Sequence, residues 1–103
     1  MKISFTQYLM PDGRQTEVFF ESKEEHDDKV TTLIEAGASF EVEMLSTGEV
    51  SLTIEYEDTN EEEITLAHEI CSNGPEVKNA VETLIKVAHS GLEELKIRRK
   101  LGK

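Results

Sequence analysis

The sequence predicts an α+β fold of two layers, in which an antiparallel sheet of about five strands carries two helices on one face, in the order β-β-α-β-β-β-α. Strands are predicted where apolar and polar residues alternate with a period of two, the pattern of a sheet buried on one face only. Helices are predicted where apolar residues recur every three or four positions. Because the second face of each strand is polar, both helices are expected to cover the same face of the sheet.

The first two strands form a predicted hairpin around Pro11-Asp12-Gly13, three residues that are typical of turns. A two-residue turn at the Asp-Gly pair places Phe5 opposite Phe20 and gathers the apolar residues on one side of the hairpin. A three-residue turn would divide them between both sides, so we favour the two-residue register. This register leaves Tyr8 and Phe19 on the face away from the core.

The first helix is predicted to begin after Ser22, because Ser22 and Glu25 have the spacing of a capping box with the serine at the N-cap. Its apolar face carries four residues at helical spacing, namely His26, Val30, Leu33 and Ile34. Gly37 is the predicted stop, since glycine readily adopts the left-handed conformation that ends many helices.

The register of the second hairpin follows from the alternation alone. The apolar positions of both strands are even-numbered, so paired positions must have an even sum, and a three-residue loop with Gly48 in the left-handed conformation satisfies this. Met44 is then opposite Val50. On the other face, Glu41 and Glu43 are expected opposite a threonine and a serine, so that carboxylates do not face each other directly.

A fifth strand is predicted with one apolar face, made of Ile64, Leu66, His68 and Ile70. Pro75 then marks the first turn of a second helix, where its missing N–H costs nothing. The apolar stripe of this helix continues to about residue 99, a length of roughly 37 Å. We therefore expect residues 1–91 to form a single α+β domain and residues 92–103 to form a helix extension with a basic C-terminal tail.

The charge of the chain is large and unevenly distributed. The 103 residues include 22 acidic residues against 11 lysines and arginines, a net charge of −11. Residues 1–95 carry all 22 acids and six of the basic residues, a charge of −16, whereas residues 96–103 carry +5. Duplex DNA and anionic membranes repel such a body, so we expect the body to bind neither of them directly.

Other features of the sequence indicate a cytoplasmic protein. No run of about 18 apolar residues is present, and residues 1–5 alternate instead of forming the apolar core of a signal peptide. A single cysteine cannot form an intrachain disulfide and fits a reducing compartment.

The cysteine, the histidines and the acidic stretch of the sequence could in principle form a catalytic or metal-binding site, but their spacing favours structural roles. Cys71 precedes the second helix, whose N-terminus would lower the pKa of a thiol, but residues three apart on a strand point to opposite faces, so His68 cannot act as its base. His26, His68 and His89 lack the spacing of a metal site, and the acidic stretch 58–69 lacks the glycine of a calcium loop. We therefore predict no catalytic residue, no metal and no cofactor, and we expect a protein that is not an enzyme.

A protein partner is expected instead, with a host protein among the candidates. The predicted binding surface is the polar face of the sheet with the adjoining loop, together with two aromatic side chains on that face: Tyr8, Phe19, Glu41, Glu43, Glu55, Glu57, Glu61, Glu62 and Glu63. One alternative is a homo-oligomer, such as a homodimer, assembled through Leu92 and Leu95 on the last helix or through a sheet edge. Another alternative is an acidic DNA mimic, whose carboxylates take the place of phosphates on a nucleic-acid-binding protein.

Three segments carry a resemblance to known proteins. They are the turn Tyr8–Arg14, the hairpin Phe40–Thr53 and the helix start Asn73–Val77. Their order and spacing resemble a group of small, uncharacterised bacteriophage and prophage proteins, over about residues 3–90. The resemblance implies a bacterial or phage-infected cell and a cytoplasmic location. These segments are turn and capping motifs, so the resemblance implies no catalytic or binding residue.

Overall fold

The computed structural model describes residues 1–9, 11–57, 61–72 and 74–101, and it has the predicted order of elements. Five strands, a short 3-10 turn at Glu24–His26 and two helices follow one another along the chain: β1 (Lys2–Leu9), β2 (Arg14–Glu21), α1 (Asp27–Glu35), β3 (Ser39–Met44), β4 (Val50–Glu57), β5 (Glu63–Cys71) and α2 (Gly74–Leu101). The α+β class is therefore confirmed.

The sheet is mixed, whereas a wholly antiparallel sheet was predicted. Its strand order is β2-β1-β3-β4-β5, and β1 and β3 run parallel, with Thr6 opposite Glu41. The other three neighbouring pairs are antiparallel. The alternation of each strand indicates which face is buried but not which strands are neighbours. The parallel pair arises because β2 and α1 carry the chain back to the end of the sheet at which β1 begins.

The first hairpin has a longer loop than predicted. Phe5 lies opposite Val18, not opposite Phe20, so four residues, 10–13, connect the strands. The loop is closed by a hydrogen bond from the Gly13 N–H to the Leu9 carbonyl at 3.0 Å, and Gly13 has a φ of 72°. Because the shift is by two positions, each side chain stays on its predicted face.

The second hairpin has the predicted register. Met44 lies opposite Val50, and the outward Glu41 and Glu43 lie opposite Thr53 and Ser51. Leu45 and Glu49 close the three-residue loop with a backbone hydrogen bond of 2.9 Å, and Gly48 has the predicted left-handed conformation, with a φ of 91°.

A β-bulge in β5 corrects the prediction for the end of that strand. Ala67 lies opposite Ile54 while Thr65 lies opposite Glu55, so Leu66 is an additional residue. The alternation therefore changes phase after Leu66. Ala67 and Cys71 are buried on the helical side, while His68 and Ile70 lie on the opposite side, where Ile70 is 51% exposed.

The predicted capping box at Ser22 is wrong. The Ser22 hydroxyl donates to the carbonyl of Met1 at 3.1 Å, and no side chain of this segment caps α1. Instead, a carboxylate oxygen of Glu82 on α2 accepts a hydrogen bond from the Lys23 N–H at 2.9 Å. The end of α1 is as predicted, since Gly37 has a φ of 88° and the Ala38 N–H donates to the Leu33 carbonyl.

Both helices pack on the same face of the sheet and contribute to one core. They contact each other, and α2 also packs along β5 and β4. The largest fully buried side chains come from the sheet, from α1 and from α2, and they include Phe5, Leu33, Leu52, Ile54, Leu84, Ile85 and Leu92. None of the described helices has the length and apolar character needed to cross a membrane.

Candidate functional site

The candidate site is the outer face of the sheet, meaning the side opposite the two helices. Strand alternation places seven glutamates of the described strands there: Glu17, Glu21, Glu41, Glu43, Glu55, Glu57 and Glu63. Among the described strand residues, Lys2 is the one lysine or arginine on this face. The outer face is therefore strongly anionic, as the strand parity predicts.

Carboxylates and neutral side chains alternate across this face. One row crosses all five strands in the order Glu17, Thr6, Glu41, Thr53 and His68. Neighbouring strands are about 4.8 Å apart, so the glutamates of this row are separated by about 10 Å. Thr6, which lies between the two glutamates, keeps them from the direct repulsion that adjacent carboxylates would have.

The carboxylates are more crowded where the start of β3 lies beside the end of β4. Glu57 lies directly opposite Glu63, a pairing that the sequence did not predict. Partial burial raises the pKa of Glu41 above its ordinary value of 4.5, and the negative charges of Glu55 and Glu63 raise it further. A positive group placed among these three side chains would relieve this repulsion.

Tyr8 borders a shallow depression of about 360 Å³ in the outer face. The depression is lined by Tyr8, Glu41, Val42, Glu43, Ser51 and Thr53. The Tyr8 side chain is 53% exposed, so the site combines an accessible aromatic ring with two carboxylates. This arrangement suits a cationic side chain, because a ring face and carboxylates both attract a guanidinium group.

Phe19 is also on the outer face but lies away from this depression. It is opposite Ser4, four positions along β2 from Gln15, the partner of Tyr8, a separation of roughly 13 Å. The ring is 50% exposed, and the Lys2 ammonium group lies 4.8 Å from its centroid. The structure thus places the two predicted aromatic residues on one face but not in one cluster.

A serine–histidine contact on the outer face was missed by the sequence reasoning. Ser51 Oγ lies 2.9 Å from His68 Nε2, joining β4 to β5 two residues after the bulge. The phase change at Leu66 brings His68 to this face, and no local sequence signal marks that bulge. Ser51 is buried although it faces away from the core.

The remaining predicted binding residues occupy different places. Glu61, which has a φ of 63°, and Glu62 are exposed directly before β5. Asp58 and Asn60, which were considered for a calcium loop, lie outside the described residues. Leu92 is only 2% exposed and belongs to the core, and Leu95 packs against it. Leu92 therefore has no exposed surface with which to join two copies of the chain, whereas Leu95 is only partly buried and its expected role in a homo-oligomer stays a prediction.

The surroundings of the buried titratable residues Cys71 and His26 indicate structural roles. Burial raises the pKa of the Cys71 thiol, and the nearby carboxylates of Glu76 and Glu69 raise it further, so the helix N-terminus does not activate it. His26 Nε2 lies 3.0 Å from a carboxylate oxygen of Glu82 in the interior between the 3-10 turn and α2. Within the part of the chain that the structure describes, no group of three or more potential ligands could hold a metal ion.

Comparison of the chain with models of protein families, with curated proteins and with solved structures finds no significant match.

Proposed function

We propose that this chain is a non-catalytic binding module that uses its outer sheet face to recognise a basic protein. One observation carries the proposal: both helices lie on the inner face, so the outer face is left uncovered and carries seven glutamates with a single lysine among the described strands. A surface of one charge attracts an oppositely charged partner and repels most others. From the resemblance of its turn and capping segments to bacteriophage and prophage proteins, we propose in addition an accessory role in the cytoplasm of a bacterial cell.

The depression beside Tyr8 supports arginine as the main contact of the partner. An arginine side chain entering it would meet the Tyr8 ring and the carboxylates of Glu41 and Glu43. Arginine binds carboxylates through two parallel hydrogen bonds and stacks on aromatic rings, which lysine does less well. Besides partial burial, the negative charges of Glu55 and Glu63 raise the pKa of Glu41, and these charges also attract a cation to this part of the face.

Regular spacing of the carboxylates favours one special form of this function, the DNA mimic. Glu17 and Glu41 are separated by one strand, and glutamates occupy alternate residues at Glu41 and Glu43 on β3 and at Glu55 and Glu57 on β4. A protein that binds the phosphates of nucleic acid would then be the partner, and its binding to this chain would compete with DNA.

Titration with a fluorescent hexa-arginine peptide tests the proposed function. The double variant Glu41→Gln/Glu43→Gln should bind about threefold to tenfold more weakly than the wild type, since each exposed ion pair contributes up to about 1 kcal/mol. The control Glu24→Gln/Glu35→Gln changes the net charge equally but on the helical side, and it should retain binding. Affinity should also fall with rising salt.

Three results would contradict the proposal: no binding at low salt, equal weakening by the two double variants, or an affinity that does not change with salt. A competition experiment with duplex DNA distinguishes a DNA mimic from a module that binds a basic protein outside its DNA-binding site. A basic bacterial protein that is retained by the wild type and displaced by duplex DNA supports the mimic, whereas simultaneous binding of DNA and this chain excludes it.

A further inference from the structure

The two edges of the sheet differ in how they are protected. The strand order makes β2 and β5 the edge strands. β5 contains the bulge at Leu66 and is covered on its inner face by α2, and both features hinder the addition of another strand. β2, in contrast, pairs with β1 in an unbroken register over all eight residues, contains no proline, and has little contact with the helices. It is the edge suited to pairing with another strand.

The hydrogen-bonding direction of β2 can be deduced from its end. The Ser22 N–H donates to the Met1 carbonyl at 2.9 Å, and the N-terminal amino group donates to the Ser22 carbonyl. Backbone groups in an antiparallel pair alternate between facing the partner and facing away. The even-numbered residues of β2 therefore face β1. The N–H and C=O groups of the odd-numbered residues point towards the free edge, and these residues are Gln15, Glu17, Phe19 and Glu21.

The two sides of this edge have different chemistry. On the inner side, Val18 and Phe20 are only half-buried and border an open groove of about 340 Å³, whose wall includes Met44 and Val77. The helices do not fill this groove. On the outer side, the same stretch of β2 presents the carboxylates of Glu17 and Glu21.

We propose that the β2 edge accepts an extended segment of the partner protein as a sixth strand, in which apolar side chains alternate with basic ones. Side chains of an added strand alternate between the two faces, so every second residue would enter the apolar groove and the others would approach Glu17 and Glu21. The inference rests on the proposed function, because it specifies how the basic partner is held.

A second copy of the chain is a poorer occupant of the same edge. Antiparallel pairing of two β2 strands with both outer faces on one side would bring Glu17 and Glu21 close to the same residues of the other copy. It would also join two anionic sheet faces into one surface. A basic strand meets the opposite situation, since its charges complement those of the edge.

Hydrogen exchange measured by NMR tests the geometry directly. The probe is an eight-residue peptide of alternating lysine and valine, and the control peptide has the same composition with four lysines followed by four valines. In the free protein, the amides of Gln15, Glu17, Phe19 and Glu21 should exchange fast while those of Thr16, Val18 and Phe20 are protected. The alternating peptide should slow exchange at the four odd positions at least about tenfold, and the control peptide should not.

A proline variant separates strand addition from simple charge attraction. Glu17→Pro removes a carboxylate and an N–H that points to the free edge, while Glu17→Gln removes only the charge. The alternating peptide should bind Glu17→Pro about fivefold more weakly than Glu17→Gln, as expected for one lost hydrogen bond. Protected amides at Val18 and Phe20 confirm that a variant is folded, and Gln15→Pro with Gln15→Thr provides a second pair at the same edge.

The outcomes distinguish the two proposals. Binding with protection at the odd positions supports strand addition. Salt-dependent binding that shifts only resonances around Tyr8 and Glu43 overturns strand addition and supports the proposed function. Protection at the odd positions without any effect of Glu41→Gln/Glu43→Gln supports strand addition and contradicts the proposed function. Concentration-dependent protection of these amides in the free protein would make a second copy the occupant and overturn the inference.

Discussion

The two faces of the sheet are built from alternate residues of the same strands, but they meet different physical demands. On the inner face, Phe5 is fully buried, and its ring forms edge-to-face contacts with Phe20 and Phe40 at centroid distances of 4.9 and 5.4 Å. On the outer face, Phe19 is half-exposed, and the Lys2 ammonium group lies over its ring at 4.8 Å from the centroid. The same residue type therefore serves stability on one face and remains available for recognition on the other.

The difference between the faces shows where the acidity of the chain is tolerated. Carboxylates that cover the outer face contribute little to folding, and where they crowd around Glu41 they oppose it. The inner face and its helices supply the apolar burial that offsets this cost. Stability therefore does not account for the acidity of the outer face.

The largest expected effect compares two phenylalanines. Phe5→Ala should lower the free energy of unfolding by about 3–5 kcal/mol, because it leaves a cavity between two other rings. Phe19→Ala should change it by less than about 1 kcal/mol, the contribution of an exposed cation–π contact. Chemical denaturation of both variants measures the difference. Similar losses in the two variants would contradict the assignment of the faces.

Polar contacts provide the second test. Glu82→Ala should cost about 1–3 kcal/mol, because it leaves the Lys23 N–H without its carboxylate acceptor and removes the carboxylate that lies 3.0 Å from the buried His26 ring. Glu82→Gln retains an oxygen that can accept from Lys23 and should cost less. On the outer face, Ser51→Ala removes the contact with His68 and should cost only about 0.5–1.5 kcal/mol. Thermal unfolding of the three variants measures these losses in the free energy of unfolding. The largest loss in Ser51→Ala would contradict the predicted order.

Gly91 offers a gain in stability on the inner side. It lies inside α2, where glycine costs up to about 1 kcal/mol relative to alanine. A methyl group at this position would lie 3.5 Å from the Leu66 carbonyl oxygen and 3.6 Å from its side chain, which are ordinary contact distances. Gly91→Ala should therefore raise the free energy of unfolding by up to about 1 kcal/mol. A loss in denaturation experiments would mean that α2 packs more tightly on the bulge than these distances indicate.

The smallest expected effect concerns Glu41 and its pH dependence. Because folding raises the pKa of Glu41, this carboxyl contributes a stabilisation that is fully present below pH 4.5 and is lost as the pH rises through the pKa of the folded state. Glu41→Gln removes the charged form, so its advantage over the wild type should grow from pH 4.5 to neutrality and reach about 0.2–1 kcal/mol. Denaturation of the wild type and of Glu41→Gln at several pH values measures it.

Much of the fold could be predicted from alternation and turn chemistry. The register of β3 with β4 followed from the parity of the apolar positions and Gly48, because a hairpin with a short loop has few possible pairings. Most of the outer face was predicted for the same reason. The first hairpin was more difficult, since registers that differ by two positions bury the same side chains, and alternation cannot distinguish them.

Other features depended on contacts between residues far apart in the sequence. The capping pattern at Ser22 was misleading because the serine hydroxyl finds the Met1 carbonyl, and Glu82 takes over the adjacent N–H. The bulge at Leu66 could not be recognised either, because the apolar alternation of the sequence continues through Leu66 to Ile70, whereas the pairing with β4 changes phase at Leu66. Its consequence was an incorrect face for His68 and Ile70.

By itself, the sequence determined the element order, the two-layer class and the face on which most acidic residues lie. These properties depend on local periodicity, which short segments of the chain contain in full. Only the tertiary structure decided the strand order, the parallel pairing of β1 with β3, the exposure of β2 and the burial of Leu92. These properties depend on contacts between segments that are far apart in the sequence. Periodicity indicates the face on which each side chain lies, but it does not indicate which strand or helix is its neighbour.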